Sequence, residues 1–128
     1  MNKTYKILLD GEEIGISKLE KADAPMGVVF GEIIFEKNEW NYDSIKSYCL
    51  TNNIEIADDY PKDKLISTRT MDSLVIRNEQ GIEIKGVGNQ ISGMDSEGFE
   101  ISIEGIAYPF YEEEFPHHVK AYNEMFKE

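Results

Sequence analysis

Apolar side chains recur at every second position over Tyr5–Leu9, near the start of the chain. This period of two predicts a strand with one buried face. Asp10-Gly11 follows directly and is a strong hairpin-turn signal. Strand-like alternation resumes at Ile14 and extends towards Leu19. We therefore predict that the chain opens with a β-hairpin.

The next strong strand signal is Val28 to Phe35, which is rich in β-branched and aromatic residues and predicts a buried strand. Further on, Phe99, Ile101 and Ile103 alternate with polar residues, as in a half-exposed antiparallel strand. Weaker patterns predict short strands over residues 54–56, 74–77 and 82–85, a bulged glycine-rich strand over 86–93, and loops over 22–27 and 58–63.

Helical spacing appears in two places. Tyr42, Ile45 and Cys49 recur at a helical period between Asn41 and Asn53, and either Asn41 or Asp43 is a candidate N-cap. The second helix closes the chain. Pro116 suits its first turn, the acidic run 112–114 precedes it, and an apolar stripe should pack on the sheet; the stripe is Phe115, Val119, Tyr122 and Phe126.

Together these patterns predict an α+β fold, in which a mainly antiparallel β-sheet packs with two α-helices, one of them C-terminal. The length of 128 residues suits a single domain over 1–128, and no repeat or linker interrupts it. One cysteine, no signal-peptide pattern and no membrane-length apolar run favour a cytoplasmic protein.

The charge narrows the choice of partner. Asp and Glu number 25 against 13 Lys and Arg, a formal net charge of −12. The average field would repel nucleic acids and anionic membranes and attract a basic protein. The alternative is that the acidity only keeps the protein soluble.

No residue pattern points to catalysis, a cofactor or a metal. His117 and His118 are neighbours on a predicted helix and point about 100° apart, so they are poorly placed to share a metal ion. Cys49 lies on an apolar stripe and is expected in the core. Gly86-x-Gly88 lacks the third glycine and the helix of a dinucleotide loop. We predict a protein that is not an enzyme.

The acidic residues form four islands along the sequence, and nearby aromatic residues are candidate anchors for a partner. If several islands share one face, they would complement Lys and Arg side chains. The alternative is that the acids only solvate the surface and the aromatics belong to the core. The predicted partner-binding residues are Asp10, Glu12, Glu13, Asp58, Asp59, Tyr60, Asp63, Glu100, Glu104, Tyr111, Glu112, Glu113 and Glu114.

Two segments carry a resemblance to a known class of proteins. They are LEKADAPMGVVFG over residues 19–31 and EFPHHVKAY over residues 114–122. Both are similar to segments of bacterial immunity proteins, which are encoded beside the toxin genes of contact-dependent growth inhibition and related polymorphic toxin systems. The resemblance implies a protein that binds and blocks its cognate toxin domain, often a nuclease.

The expected function is therefore inhibition of a basic toxin domain, with carboxylates pairing to its Lys and Arg. Pairing of a toxin strand with a sheet edge near Gly86–Gly93 is a second possible mode. Three other classes stay open: a small-molecule-binding domain, a phage-type inhibitor that mimics nucleic acid, and an enzyme acting through carboxylates.

Overall fold

The computed structural model describes residues 3–126, which form an α+β fold with two antiparallel sheets. Its strands are β1 (Tyr5–Leu9), β2 (Glu12–Ser17), β3 (Lys21–Asp23), β4 (Val28–Glu32), β5 (Ile34–Phe35), β6 (Ile56–Tyr60), β7 (Leu65–Thr68), β8 (Leu74–Arg77), β9 (Gly88–Met94) and β10 (Gly98–Glu104). The helices are α1 (Tyr42–Thr51), α2 (Phe110–Glu114) and α3 (Pro116–Met125), and a 3-10 turn covers Ala24–Met26.

The sheets have four and six strands, in the orders β5-β2-β1-β8 and β3-β4-β10-β9-β7-β6. Residues of both sheets join one hydrophobic core, which also takes in α1 and the C-terminal helices. The α+β prediction with a C-terminal helix is thus confirmed. None of the helices described between residues 3 and 126 is long and apolar enough to cross a membrane.

The predicted opening hairpin is formed by β1 and β2. Asp10 and Gly11 both have positive φ, 53° and 81°, which matches the tight turn that this dipeptide favours. Strand β2 ends at Ser17, earlier than predicted, because Leu19 has a φ of 44° and turns the chain towards the second sheet.

The predicted strand over Val28 to Phe35 divides between the two sheets. β4 pairs with β10 in one sheet, and β5 pairs with β2 in the other. Between them lies the buried Ile33, whose backbone N–H donates to the carbonyl oxygen of Phe99 at 2.8 Å. A continuous run of apolar residues therefore encodes a crossing from sheet to sheet.

Two predictions for the middle of the chain are wrong, and one strand there was not predicted. The polar segment 58–63, predicted as a loop, instead begins in β6 and turns into β7, a strand that was not predicted. The predicted strand over 82–85 contributes one isolated bridge, Arg77 to Glu83. The acidic sequence of β6 suits its position, because charged side chains are tolerated on an edge strand.

The predicted helix near Asn41 is confirmed as α1. The Asn41 side chain accepts from the backbone N–H of Ser44 at 3.0 Å, and the Ser44 hydroxyl oxygen accepts from the Asn41 N–H at 2.8 Å. A third contact comes from the β9–β10 turn, where Asp95 accepts from the N–H of Tyr42 at 2.8 Å. The helix start is thereby attached to the six-stranded sheet.

The C-terminal region forms two helices rather than one. Pro116 begins α3 as predicted, but the acidic run belongs to the separate short helix α2. Only the first half of the apolar stripe packs. Phe115 is fully buried, whereas Tyr122 and Phe126 are 37% and 67% exposed. The first half is held by His118, whose Nε2 lies 2.8 Å from the carbonyl oxygen of Leu19.

A buried carboxylate joins the C-terminal helices to the four-stranded sheet. Glu114 accepts hydrogen bonds from the Tyr5 hydroxyl and the Asn78 amide, both at 2.9 Å. Lys3 lies 3.5 Å from the same carboxylate. Burial and this hydrogen bond raise the pKa of Tyr5, so its phenol stays a donor throughout the physiological range.

We predict that Glu114→Ala lowers the free energy of unfolding by about 2–4 kcal/mol, because it leaves the buried Tyr5 hydroxyl and Asn78 amide without their acceptor. Glu112→Ala, two residues away on the exposed side of α2, is the matched control and should cost less than about 0.5 kcal/mol. Urea denaturation measures both. Equal losses in the two variants would contradict the structural role of Glu114.

Candidate binding surface

One face of the six-stranded sheet is buried and the opposite face is not. In β10 the side chains of Phe99, Ile101 and Ile103 enter the core, while Glu100 and Ser102 point to the other side. We call this other side the open face. It carries the outward side chains of β3, β4, β10, β9, β7 and β6, which are Lys21, Asp23, Val28, Phe30, Glu32, Glu100, Ser102, Glu104, Gln90, Ser92, Met94, Leu65, Ser67, Asp58 and Tyr60.

The strand register aligns five of these residues in a row across the open face. Asp58 is opposite Ser67, Ser67 opposite Ser92, Ser92 opposite Glu100, and Glu100 opposite Glu32. The row has carboxylates at both ends and small hydroxyls in the middle. The centre of the row is therefore uncharged and has small side chains, and its two ends are negatively charged.

The pair Glu32 and Glu100 is unfavourable for the fold taken alone, because like charges directly opposite on neighbouring strands repel. Lys21 offsets part of this repulsion, with its Nζ 2.8 Å from Glu100 Oε2. Their hydrogen bond and charge raise the pKa of Lys21. Glu20 adds a further carboxylate beside the pair and accepts from the Glu32 N–H at 3.0 Å.

A shallow groove of about 570 Å³ runs along this acidic end of the open face. Among residues 3–126, its charged lining consists of the carboxylates of Glu20, Glu32, Glu97 and Glu100 and the ammonium of Lys21, and Ser67 and Ser92 add hydroxyls. Leu65 and Met94 give the groove its apolar side chains, and Phe99, whose ring enters the core, borders it. The groove thus has both acidic and apolar side chains in its lining.

A second depression, of about 200 Å³, lies beyond the β9–β10 turn. Phe35, Trp40 and Phe99 line it together with Asp95. The ring of Phe35 stacks on that of Trp40 with centroids 6.4 Å apart and meets Phe99 edge-on at 6.3 Å. We call this depression the aromatic cleft. It shares Phe99 and Gly98 with the groove, so the two adjoin.

The structure brings four of the predicted partner-binding residues onto the open face. They are Asp58, Tyr60, Glu100 and Glu104, and Tyr60 is 54% exposed. Asp63 lies exposed in the turn between β6 and β7, at the margin of the same sheet. These residues come from distant parts of the sequence, and antiparallel pairing places them together.

Five other predicted residues lie away from the open face. Asp10, Glu12 and Glu13 belong to the β1–β2 hairpin of the four-stranded sheet, and Asp10 accepts from the Tyr48 hydroxyl at 2.7 Å. Glu112 and Glu113 are exposed on α2. The predicted islands therefore do not combine into one continuous surface.

Tyr111 and Glu114 are buried, which corrects their prediction as surface residues. Tyr111 is 0% exposed, and its hydroxyl donates to the carbonyl oxygen of Val28 at 2.9 Å. Its ring packs between Tyr108 and Phe115. Glu114 is 9% exposed and holds the network described above. Each polar group is satisfied by a partner distant in sequence, which allows burial.

The predicted sheet edge near Gly86–Gly93 is also corrected. The segment Gly88–Met94 is β9, which pairs with β10 on one side and β7 on the other. An interior strand has no free backbone edge for a partner. Gly93 is needed there for space, because a Cβ at this position would lie 2.2 Å from the carbonyl oxygen of Gly98.

The two segments that carry the resemblance to immunity proteins pack against each other. His118 contacts the carbonyl of Leu19 across this contact. Gly27 has a φ of 67° and lies so close to Ile106 that a Cβ would be 2.5 Å from its carbonyl oxygen. The residues of these segments therefore have structural roles in this chain.

The histidines and the cysteine occupy structural positions. Burial, and then the neighbouring His118, lower the pKa of His117, and the two ring centroids are 4.1 Å apart. Cys49 is a buried free thiol whose pKa is raised by burial. Within residues 3–126, no three His, Cys, Asp or Glu side chains are grouped so that they could hold a metal ion.

Sequence reasoning missed Glu20, Glu32, Glu97 and Trp40. A signal for Glu32 was present, since Phe30 and Glu32 are two positions apart in β4 and share its outward face. The prediction of Val28 to Phe35 as a buried strand concealed it. Trp40 lies between β5 and α1, where no period indicates which neighbours it meets.

Comparison with known proteins adds no relative to this description. No protein-family model, curated protein or solved structure matches the chain.

Asp59, predicted as a partner-binding residue, is held by groups of its own chain. Lys46 Nζ lies 2.8 Å from its carboxylate, and the Tyr42 hydroxyl donates a short hydrogen bond to it. Lys46 also lies over the Tyr42 ring, 5.5 Å from its centroid. The hydrogen bonds from Lys46 and Tyr42 lower the pKa of Asp59.

We predict that Asp59→Asn destabilises the protein at neutral pH and that this deficit shrinks in acid. A carboxylate with a depressed folded-state pKa stabilises the fold above its unfolded pKa, here 3.8, and the effect is lost as pH falls through the folded value. Urea midpoints between about pH 7 and pH 2 measure this. Asp58→Asn, on the open face, is the control; a pH-independent deficit for Asp59→Asn would refute the prediction.

Proposed function

We propose that this protein is a non-catalytic immunity protein that binds and neutralises a cognate basic toxin domain, such as a nuclease, in the cytoplasm. The open face of the six-stranded sheet is its binding surface. The resemblance of residues 19–31 and 114–122 suggests the class of protein, and the open face suggests how it binds.

The observation that carries the proposal is the directly opposed pair Glu32 and Glu100. Sequences generally satisfy the local rules of their fold, and departures concentrate where function requires them. A like-charged pair directly opposite on two neighbouring strands, with Glu20 beside it, is such a departure. A partner that brings cations to this position would relieve the repulsion. The two carboxylates that destabilise the free protein would then stabilise the complex.

The open face also offers apolar contact beside its charges. Tyr60, Leu65 and Met94 follow one another across three neighbouring strands. A partly exposed tyrosine next to aliphatic side chains is typical of an interface anchor, which a rim of charges then surrounds. The net charge of −12 would accelerate encounter with a basic partner and make binding sensitive to salt.

Immunity proteins are encoded beside their toxins, so the direct test uses the gene that adjoins the gene of this protein. The growth of a bacterium that expresses the product of that adjoining gene is measured with and without this protein. We expect the adjoining product to be toxic and this protein to restore growth. The purified pair should bind at low salt, and binding should weaken as the salt concentration rises.

Removing charge from the open face should weaken the complex. We expect Glu32→Gln combined with Glu100→Gln to reduce affinity about tenfold to a hundredfold, because two contacts to toxin cations are lost. Glu112→Gln combined with Glu113→Gln removes the same charge from α2 and should leave affinity within about threefold.

Three results would count against the proposal. They are an adjoining product that is not toxic, toxicity that this protein leaves unchanged, and equal losses of affinity in the two double variants. The last would assign the effect to net charge rather than to the open face.

A further inference from the structure

The groove and the aromatic cleft adjoin at the β9–β10 turn, and we refer to the two together as the depression. Gly98 and Phe99 border both. The ring of Phe99 meets Phe35 in the aromatic cleft, while Glu100, the next residue in β10, lines the groove. A ligand that crosses the turn therefore meets negative charge and aromatic surface in succession.

The chain's own lysines show what this combination binds. Lys21 lies between the Glu100 carboxylate, at 2.8 Å, and the Phe30 ring, at 5.8 Å from the centroid. Lys46 lies in the same way between Asp59 and Tyr42. A carboxylate supplies charge and an aromatic face supplies its quadrupole, so a cation between them is stabilised by both.

The aromatic cleft offers the same two features without a cation of its own. No Lys or Arg described between residues 3 and 126 lies over the ring of Phe35 or Trp40, although Asp95 and Glu97 are close by. Of the residues that the structure describes, five carboxylates and one cation, Lys21, line the groove and the cleft together. The depression therefore has an excess of negative charge, which a basic partner would balance.

We propose that the groove and the aromatic cleft bind an extended, arginine-containing segment of the protein partner. One guanidinium stacks on Trp40 and Phe35, and a second basic side chain lies among Glu32, Glu97 and Glu100. This inference rests on the proposed function for the nature of the partner, a basic protein. It adds the position of the contact and the residue type that makes it.

Arginine fits this depression better than lysine. Its planar guanidinium stacks on an aromatic face while its N–H groups still donate to carboxylates at the edge. A lysine would keep the charge but lose the planar stacking.

Trp40 is the only tryptophan of the chain, so its fluorescence reports on the aromatic cleft directly. The probe is a tetra-arginine amide peptide, titrated into the whole protein at low salt. We expect a saturable change in Trp40 emission and an affinity about three- to tenfold higher than that of tetra-lysine amide. Tetra-glutamine amide should produce no saturable change.

Two double variants locate the binding. Glu32→Gln with Glu97→Gln should weaken the arginine peptide about five- to tenfold, because two carboxylates of the groove lose their charge. Glu112→Gln with Glu113→Gln changes the net charge equally and should have little effect. Equal weakening in both, or saturable binding without a change in Trp40 emission, would overturn the inference.

A third variant tests the aromatic contact, with labelled-peptide anisotropy as the readout. Trp40→Leu should reduce the preference for arginine over lysine towards one, while part of the charge-driven affinity remains. An unchanged preference would overturn the stacking of arginine on Trp40. Circular dichroism of each variant checks that the fold is retained.

The inference and the proposed function fail in different experiments. Neutralisation of the adjoining toxin without any peptide binding at Trp40 would overturn the inference and leave the proposed function standing. Saturable, arginine-selective binding with no effect on the adjoining product would support the inference as a basic-peptide site and remove the toxin as its partner.

Discussion

The alternation of β10 fixes both the core and the binding surface. Phe99, Ile101 and Ile103 must point inwards to close the core between the sheets, and the period of two then forces Glu100, Ser102 and Glu104 outwards. A shift of one residue in register would bury the carboxylates and expose the apolar side chains. The same burial that stabilises the fold therefore determines which charges face solvent.

The fold holds this surface rigid from its two ends. On one side, Asp95 joins the β9–β10 turn to the start of α1, so the turn between the groove and the aromatic cleft is fixed by a helix. On the other, Tyr111 and His118 tie the C-terminal helices to the segment that leads into β4. A preformed surface loses little conformational entropy on binding, which favours affinity.

Local patterns determine what could be predicted from the sequence. The Asp10-Gly11 hairpin, the Asn41 cap and the alternation of β10 depend on neighbours in the chain, and the structure confirms them. The split of Val28 to Phe35, the burial of Glu114 and the assembly of the open face depend on partners that are distant in sequence. Glu114 is buried because Tyr5 and Asn78 meet it, and neither spacing nor composition reveals that meeting.

The acidic residues of the chain therefore fall into two groups. Carboxylates such as Asp59 and Glu114 are matched by donors within the protein and contribute to the fold. Glu32 and Glu100 lie directly opposite each other on neighbouring strands, and Lys21 offsets only part of their negative charge. Solubility needs charge, but it does not need like charges aligned beside an aromatic cleft, since dispersed charge serves equally well at lower cost. Alignment of this kind is better explained by a partner that supplies the missing cations.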